Sequence, residues 1–542
     1  MTSTSRTRRF MVAVAALLAA VVPSAAVVMG DAAPASAGVT VSGTGSSYAA
    51  IAINAWVSQV YTALGLNVNY QSSSSVIGLE NFAQGLVDFG ASEIGYDAGQ
   101  TQTPPPSDYQ YLPSVAGATC LMYNVLGQTG QQVQQLQLTP QVIAGIFTGT
   151  IRKWNDPAVA GLNPSALLPN APIVVTFRSD ASGDNYIFSD YLQTLEPSTW
   201  AAFTGAMGAR NGPTAVWPTP ATGGTSAGQF NESNWVAQNG SDNASNYVAS
   251  SLNTITYVET GYASEHNMPC AYIQNTAGSY IRPSELGDAY ALTSDQINLT
   301  TGEQSLGAVF TSPNPQAYPI SAYSYLTSLK GTLPANKGAV LSAFVLFLAC
   351  QGQQSAATLG YSPLPTNLVQ ADFNAISNMN GHVPLPSAIN AQTCPNPYIT
   401  GQLQSVGEPP ILGAPTGSYT GTVTVGGGGG ASGAGTATAA SAANAGTGGA
   451  AAVLKPKVGA GGTITAGGQT PGVALLAASN QLLGIPGPTW TMILWTLGFL
   501  ALLAIPMVLF ALSANKSGNG VVARIRRVGS SSDVENEGDA DA

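Results

Sequence analysis

The chain reads as an α/β protein, and three observations predict that class. Between Val39 and about Gly401, short apolar runs alternate with amphipathic stretches. Several of those runs pass through a Ser/Gly-rich turn straight into the start of a helix. One of them, Ile173-Val174-Val175-Thr176-Phe177, is the β-branched and aromatic composition of a buried strand.

In chain order, Val39-Thr40-Val41 is a strand leading into Ser42-Gly43-Thr44-Gly45-Ser46-Ser47-Tyr48. A helix is predicted next, through Ile51, Ala52, Ala55, Trp56, Val60 and Tyr61. Leu66-Asn67-Val68-Asn69-Tyr70 alternates like a strand and runs into Gln71-Ser72-Ser73-Ser74-Ser75-Val76-Ile77-Gly78. A helix through Leu79, Phe82, Ala83 and Leu86 follows, and then Val87-Asp88-Phe89-Gly90-Ala91-Ser92-Glu93. The most informative stretch is Arg178-Ser179-Asp180-Ala181-Ser182-Gly183-Asp184, which links the 173–177 strand to apolar residues at helical spacing from Tyr186 to Leu192. A strand end, a small-residue loop and a helix start point unpaired N–H groups, a hydroxyl and a guanidinium at one spot. That is the chemistry of an oxyanion site. Taken alone it is also an ordinary Asp/Ser-capped helix start. Three such loops in one chain give the first reading its weight.

The 542 residues allow two or three domains. Charged residues make up 8% of the chain, with a net charge of -10. From Gly38 to Gly401 there are 7 Lys/Arg against 19 Asp/Glu, which makes nucleic acid an unlikely partner. A small anion remains compatible, because a local nest of donors outweighs a distant field. Residues 1–37 read as a secretory signal: Arg6, Arg8 and Arg9 precede an apolar core from Phe10 to Val22, and Ala35-Ser36-Ala37 is a small-residue cleavage site. Cys120, Cys270, Cys350 and Cys394 all follow it, and an even count outside the cell favours two disulfides in one of three connectivities. Wide cysteine spacing and two histidines, His266 and His382, argue against zinc, and no cofactor or metal is expected.

The ordered segments Gly43-Thr44-Gly45-Ser46-Ser47-Tyr48, Val68-Asn69-Tyr70-Gln71, Val87-Asp88-Phe89-Gly90-Ala91-Ser92 and Phe177-Arg178-Ser179-Asp180-Ala181-Ser182-Gly183 resemble the PstS-type phosphate-binding proteins. So do Ile146-Phe147-Thr148-Gly149-Thr150-Ile151-Arg152-Lys153-Trp154-Asn155-Asp156-Pro157 and, later, Thr260-Gly261-Tyr262-Ala263, Tyr318-Pro319-Ile320 and Gly360-Tyr361-Ser362-Pro363-Leu364-Pro365. The resemblance implies a two-lobe type II periplasmic-binding-protein fold over 38–400, lobe 1 from roughly 39–120 and 256–400 and lobe 2 from roughly 121–255. It implies an oxyanion bound by lobe closure and handed to the permease and ATPase of an ABC-type importer, with no catalysis. Ligand-binding positions carried over are Ser47, Tyr48, Ser75, Glu93, Arg178, Ser182, Gly183 and Asp184, with Asp180 holding Arg178 as an ion pair. Disulfides are placed, beyond what spacing decides, at Cys120–Cys270 across the hinge and Cys350–Cys394 in the last segment.

Three positions depart from that pattern. Glu93 stands where the family has Asp, Val76 and Ile77 stand in the second loop in place of its glycines, and Asp184 replaces a Thr donor. A carboxylate ~4 Å from a dianion opposes it by about 4 kcal/mol per unit charge at an effective dielectric near 20. Asp184 is therefore expected to turn away and cap the helix, to carry a proton, or to mark a ligand other than plain phosphate.

From 401 to 489 a Gly/Ala/Ser/Thr-rich stretch reads as a flexible linker. Trp490 to Leu512, almost wholly apolar, is long enough for one transmembrane helix. Lys516, Arg524, Arg526 and Arg527 then place the 513–542 tail in the cytoplasm, so the chain is expected as a single-pass cell-membrane protein with its binding domain outside. A surface-tethered interaction or sensing module on the same fold is the alternative. A serine hydrolase is the remote one: Gly224-Thr225-Ser226-Ala227-Gly228 has the elbow pattern, but Pro218 and Pro220 spoil the strand it needs. His266 and His382 read as surface residues, and Trp154, Trp200, Trp217 and Trp235 as core rather than a sugar platform.

Overall fold

The computed structural model describes residues 38–426, except 220–233, 404, 414–416 and 418. The expected signal over 1–37, the loop with Ser226, most of the expected linker, the expected membrane span over 490–512 and the tail lie outside them. Among the described residues, no helix is long and apolar enough to cross a membrane.

One mixed sheet carries the fold. Strands β1 (Thr40–Gly45), β2 (Asn67–Ser72) and β3 (Phe89–Ser92) are parallel, joined through helices α1 (Ala50–Leu64) and α2 (Ser75–Ala83). The α2 helix stops at Ala83, short of the expected Leu86. Gly85 there adopts φ 69°, and Leu86 is exposed. Gly45 takes φ 141°, and a Cβ on it would collide with the Ala91 backbone, so only glycine lets β1 leave the sheet this close to β3.

The long strand β4 (Tyr109–Asn124) organises the rest, with every residue after Tyr109 buried. Burial on both faces explains why it shows no alternation of apolar and polar residues. From Tyr109 to Ala118 it pairs antiparallel with a strand at Ser321–Leu329. From Thr119 to Asn124 it pairs instead with a strand at Thr254–Glu259. Counting in chain order, β5 is Val174–Arg178, β6 is Trp235–Gln238, β7 is Thr254–Glu259, β8 is Ser321–Leu329 and β9 is Tyr361–Ser362. The sheet order is β2-β1-β3-β8-β4-β7-β5-β6, with β9 also on β4. Beyond β4, then, β8 leads to one half of the sheet and β7 to the other, and the exchange at Ala118/Thr119 marks the crossing between two lobes.

Each half has its own core. On the β5–β7 side Phe147, Phe188, Trp200, Trp217 and Tyr257 form a cluster of ring contacts. Trp154, Trp200 and Trp217 are all buried, so these indoles are packing residues. On the other side the helix Ala335–Ala349 is buried on nearly every face, which is why it is apolar all round. Cys120 and Cys270 are bonded with Cα atoms 5.5 Å apart, next to the crossing, and Cys350 and Cys394 with Cα atoms 4.4 Å apart. His266 ends a short helix, half-buried, and His382 is exposed.

Candidate functional site

The site forms where helix starts from both halves meet. Ser74 caps α2, its hydroxyl accepting the Ile77 N–H at 3.3 Å, and this frees the next residue, Ser75, to face inward. Ser182 does the same for the helix Gly183–Leu195, accepting the Asn185 N–H at 3.1 Å. The cap is thus Ser182, and Asp184 does not turn away to take that role, which corrects the first of the expectations for it. Between the two starts, the Gly183 N–H donates to Ser75 Oγ at 2.8 Å. A Cβ on Gly183 would run into Glu93 Oε2, so the close approach requires glycine.

Glu93 follows β3 and is the acceptor at this junction. Ser75 Oγ donates to its Oε2 at 2.7 Å, Ser324 Oγ to its Oε1 at 2.8 Å, and Ser46 Oγ also to Oε1. Ser324 reaches it from a bulge where β8 slips register opposite Pro113 and Val115. Proline has no N–H for the ladder, and a bulge at such a place re-aims the neighbouring side chain. Burial, and then the charge of Asp184, push the Glu93 carboxyl up to about 7, although the three hydroxyls pull the other way.

Arg178 ends β5, wholly buried. Its Nε donates to Asp180 Oδ1 at 2.8 Å, its Nη2 bonds Asp180 Oδ2, and its Nη1 serves both Asp184 Oδ2 at 2.6 Å and Ser241 Oγ at 2.8 Å. A guanidinium has five N–H groups, so these four bonds leave one for anything else. Burial alone would lower this guanidinium. The hydrogen bond to Asp180 and the charges of Asp184 and Asp180 outweigh it and hold it well above its ordinary value. Asp180 also accepts the Gly240 N–H at 2.9 Å, and Arg178 keeps it below the usual carboxylate range against the effect of burial.

The remaining carried-over residues close the ring. Ser47 Oγ lies 3.0 Å from Ser241 Oγ, which ties the turn after β1 to the helix Gly240–Ser250. Tyr48 is buried, and its carbonyl accepts the Tyr361 hydroxyl at 2.6 Å. Of the second-loop residues that replace glycines, Val76 gives its N–H to Ala181 O at 3.4 Å and Ile77 gives its own to the cap, so neither N–H faces the junction freely. A cleft of about 470 Å³ reaches Glu93 from outside, lined by Asp97, Tyr186, Arg210, Asn298, Glu303 and Gln304 among others.

The sequence reading missed four groups here: Ser46, Ser241, Ser324 and Glu259. Glu259 closes β7 in register with Thr119, at the crossing itself. Neither of its carboxyl oxygens, nor Asp184 Oδ1, finds a donor among the described residues. Burial, followed by the charge of Asp184, raises its carboxyl well above the ordinary range. The signal was in view: Glu259 ends a buried apolar strand just as Glu93 does after Phe89–Ser92.

A family model described as a PBP superfamily domain matches residues 31–351, more than half of the chain. The chain belongs to the PBP superfamily. Among similar proteins, "Phosphate-binding protein PstS" of Xylella fastidiosa (strain 9a5c) is 29% identical over 332 residues, covering 61% of this chain and 83% of its own. The protein of the same name from Methanocaldococcus jannaschii is 28% identical over 348 residues, covering 62% and 85%. "Phosphate-binding protein PstS 3" of Mycobacterium tuberculosis is 28% identical over 341 residues, covering 60% and 83%. A solved phosphate-binding protein from Stenotrophomonas maltophilia aligns with a TM-score of 0.46 at 20% identity, over 64% of this chain and 97% of that one. In this superfamily member the turns after β1, β2 and β5 all contribute hydrogen-bonding groups around Glu93 and Arg178.

Proposed function

We propose that this chain is a PstS-like receptor that binds inorganic phosphate outside the cytoplasm and delivers it to the permease and ATPase of an ABC-type importer. The observation that carries this reading is the meeting of three turn-to-helix starts, after β1, β2 and β5, around one acceptor carboxyl and one buried guanidinium. Hydroxyls and N–H groups of this kind replace the water of an enclosed anion, and a carboxyl acceptor favours an oxyanion that carries hydrogen over sulfate. The names of the relatives support the same ligand. The ligand contacts are assigned to Ser47, Tyr48, Ser75, Glu93, Arg178, Ser182, Gly183 and Asp184. The work is desolvation and lobe closure about β4, with no bond made or broken. A signal at 1–37, a linker over 401–489 and a membrane span over 490–512 would hold the 38–400 domain at the outer face of the cell membrane.

Equilibrium dialysis of the full-length protein against radioactive phosphate tests this. Saturable binding is expected, lost in Gly183→Val, whose side chain would wedge Ser75 and Glu93 away from the helix start. Wild-type protein that takes up no phosphate under any condition sinks the reading.

A further inference from the structure

Gln304 lines the cleft of about 470 Å³ beside Glu93, and the phosphate reading gives it no part. It belongs to a short strand, Glu303–Gln304, paired antiparallel with Ile297–Asn298. Its side-chain amide is spent on main chain. Nε2 donates to Glu93 O at 2.8 Å and to Tyr323 O at 2.8 Å, and Oε1 accepts the Tyr323 N–H at 2.7 Å. Exchanging the amide nitrogen and oxygen would set an oxygen against two carbonyls, so these bonds fix the orientation of the amide. With both amide hydrogens committed, Gln304 has none to give a ligand.

The three bonds fall where the sheet loses a partner. β3 and β8 pair from Phe89 opposite Ser328 to Ser92 opposite Tyr325, and the ladder stops there. The next residues along are Glu93 and Ser324, the acceptor and one of its donors, 2.8 Å apart from Oγ to Oε1. On its other side β8 slips register against β4 between Ser324 and Tyr325, so the ladder is irregular here on both edges. Main-chain groups at such a break need partners, and the Gln304 amide supplies them to Glu93 and Tyr323 together. It thereby sets the distance between the Glu93 main chain and the strand segment that carries Ser324. The hairpin bearing Gln304 is itself anchored, since an isolated pair of strands is marginal. The Ile297 N–H donates to Pro410 O at 3.1 Å and the Leu299 N–H to Leu412 O at 3.0 Å. The turn between its strands lies so near Gly95 that a Cβ there would collide with Thr301 O.

Hydrogen bonds to the Glu93 carboxyl come from Ser46, Ser75 and Ser324, and such donors favour its charged form. Of the titratable groups around it, Asp184 acts on Glu93, and Tyr48, Tyr70, Tyr325 and Tyr361 feel its charge. Asp97, Glu303 and Arg210 line the cleft that reaches it.

Resting on the phosphate reading, we propose that Gln304 is the positioning residue of the anion acceptor: by bridging Glu93 to Tyr323 it holds the Ser324 hydroxyl on the Glu93 carboxyl, and ligand affinity depends on it although it donates nothing to the ligand.

Equilibrium dialysis of the full-length protein against radioactive phosphate, over a range of pH, tests this with a two-residue cycle. Gln304→Met keeps the side-chain length and loses the three bonds, and phosphate should bind about tenfold more weakly. Ser324→Ala should do about the same, and the two together should do no more than either, because both break one contact. Losing a donor also raises the Glu93 carboxyl, so the pH at which affinity changes should move upward from about 7 in each variant alike. Losses that multiply, an unmoved pH profile, or unchanged affinity in Gln304→Met leave Gln304 a structural residue and overturn the inference while the phosphate reading stands. Should Gln304→Met fail to fold, Gln304→Asn, whose amide falls one methylene short, takes its place in the cycle with the same expected sign. Wild-type protein that binds no phosphate sinks the phosphate reading, and the clamp is then decided by urea unfolding without ligand. There the pH midpoint of the Glu93 contribution should rise in the Gln304 variant, and a fixed midpoint overturns the clamp as well.

Discussion

Glu93 and Glu259 stand at the ends of two strands in the same sheet, both buried, and are treated in opposite ways. Glu93 collects hydroxyls from Ser46, Ser75 and Ser324. Glu259 collects none among the described residues. Burial raises both, but the hydroxyls limit the first to about 7 while the second lies well above its ordinary value. A carboxyl supplied with donors is poised to change its charge near neutral pH, and one deprived of them is pushed further from its ordinary value. The same residue type is thus an acceptor of three hydroxyls in one place and without a donor among the described residues in the other.

Removing the buried cation Arg178 should have the largest effect. Arg178→Met leaves Asp180 and Asp184 buried without a counter-ion, and a loss of about 3–5 kcal/mol in urea unfolding is expected. A loss below about 1 kcal/mol would mean the carboxylates find water instead. The next effect belongs to Glu93. Its folded pKa lies above the ordinary value, so the folded state holds a proton that the unfolded chain releases. That contribution is fully present below the unfolded value and is lost as pH rises through about 7. Its size is on the order of 3 kcal/mol, from a shift of that magnitude in a buried group. Glu93→Gln should remove this slope from the stability–pH curve of the ligand-free protein, leaving the slope in the same direction from Glu259. The smallest effect sharpens the contrast: Glu259→Gln removes a buried titrating carboxyl that has no donor among the described residues, and thermal unfolding should show a gain of roughly 1 kcal/mol above neutral pH that vanishes in acid. An equal gain at both extremes would detach the effect from the titration of Glu259.

Much of this was legible in the residues. The run Ile173–Phe177 became a strand reaching Arg178, and the small-residue loop after it opened the helix at Gly183. Both turns before α1 and α2 formed where the Ser/Gly clusters put them. The engagement of Arg178 was less visible. The motif displays one guanidinium near one aspartate, whereas the folded chain surrounds it with Asp180, Asp184 and Ser241. The identity of the cap was ambiguous as well, since Ser182 and Asp184 both suit a helix start and only the direction of Arg178 separates them.

By itself, the sequence determined the α/β alternation, the helix starts and the residue types crowded into the turns, because strand burial, capping and turn chemistry are settled within a few neighbouring residues. Tertiary structure alone decided which remote groups share a boundary. Ser324 reaches Glu93 across 231 residues, and Cys120 meets Cys270 across 150. Those partners depend on where β4 exchanges one neighbour for another and on a bulge beside Pro113. Such long-range register follows from the packing of whole elements, and no local stretch of side chains encodes it.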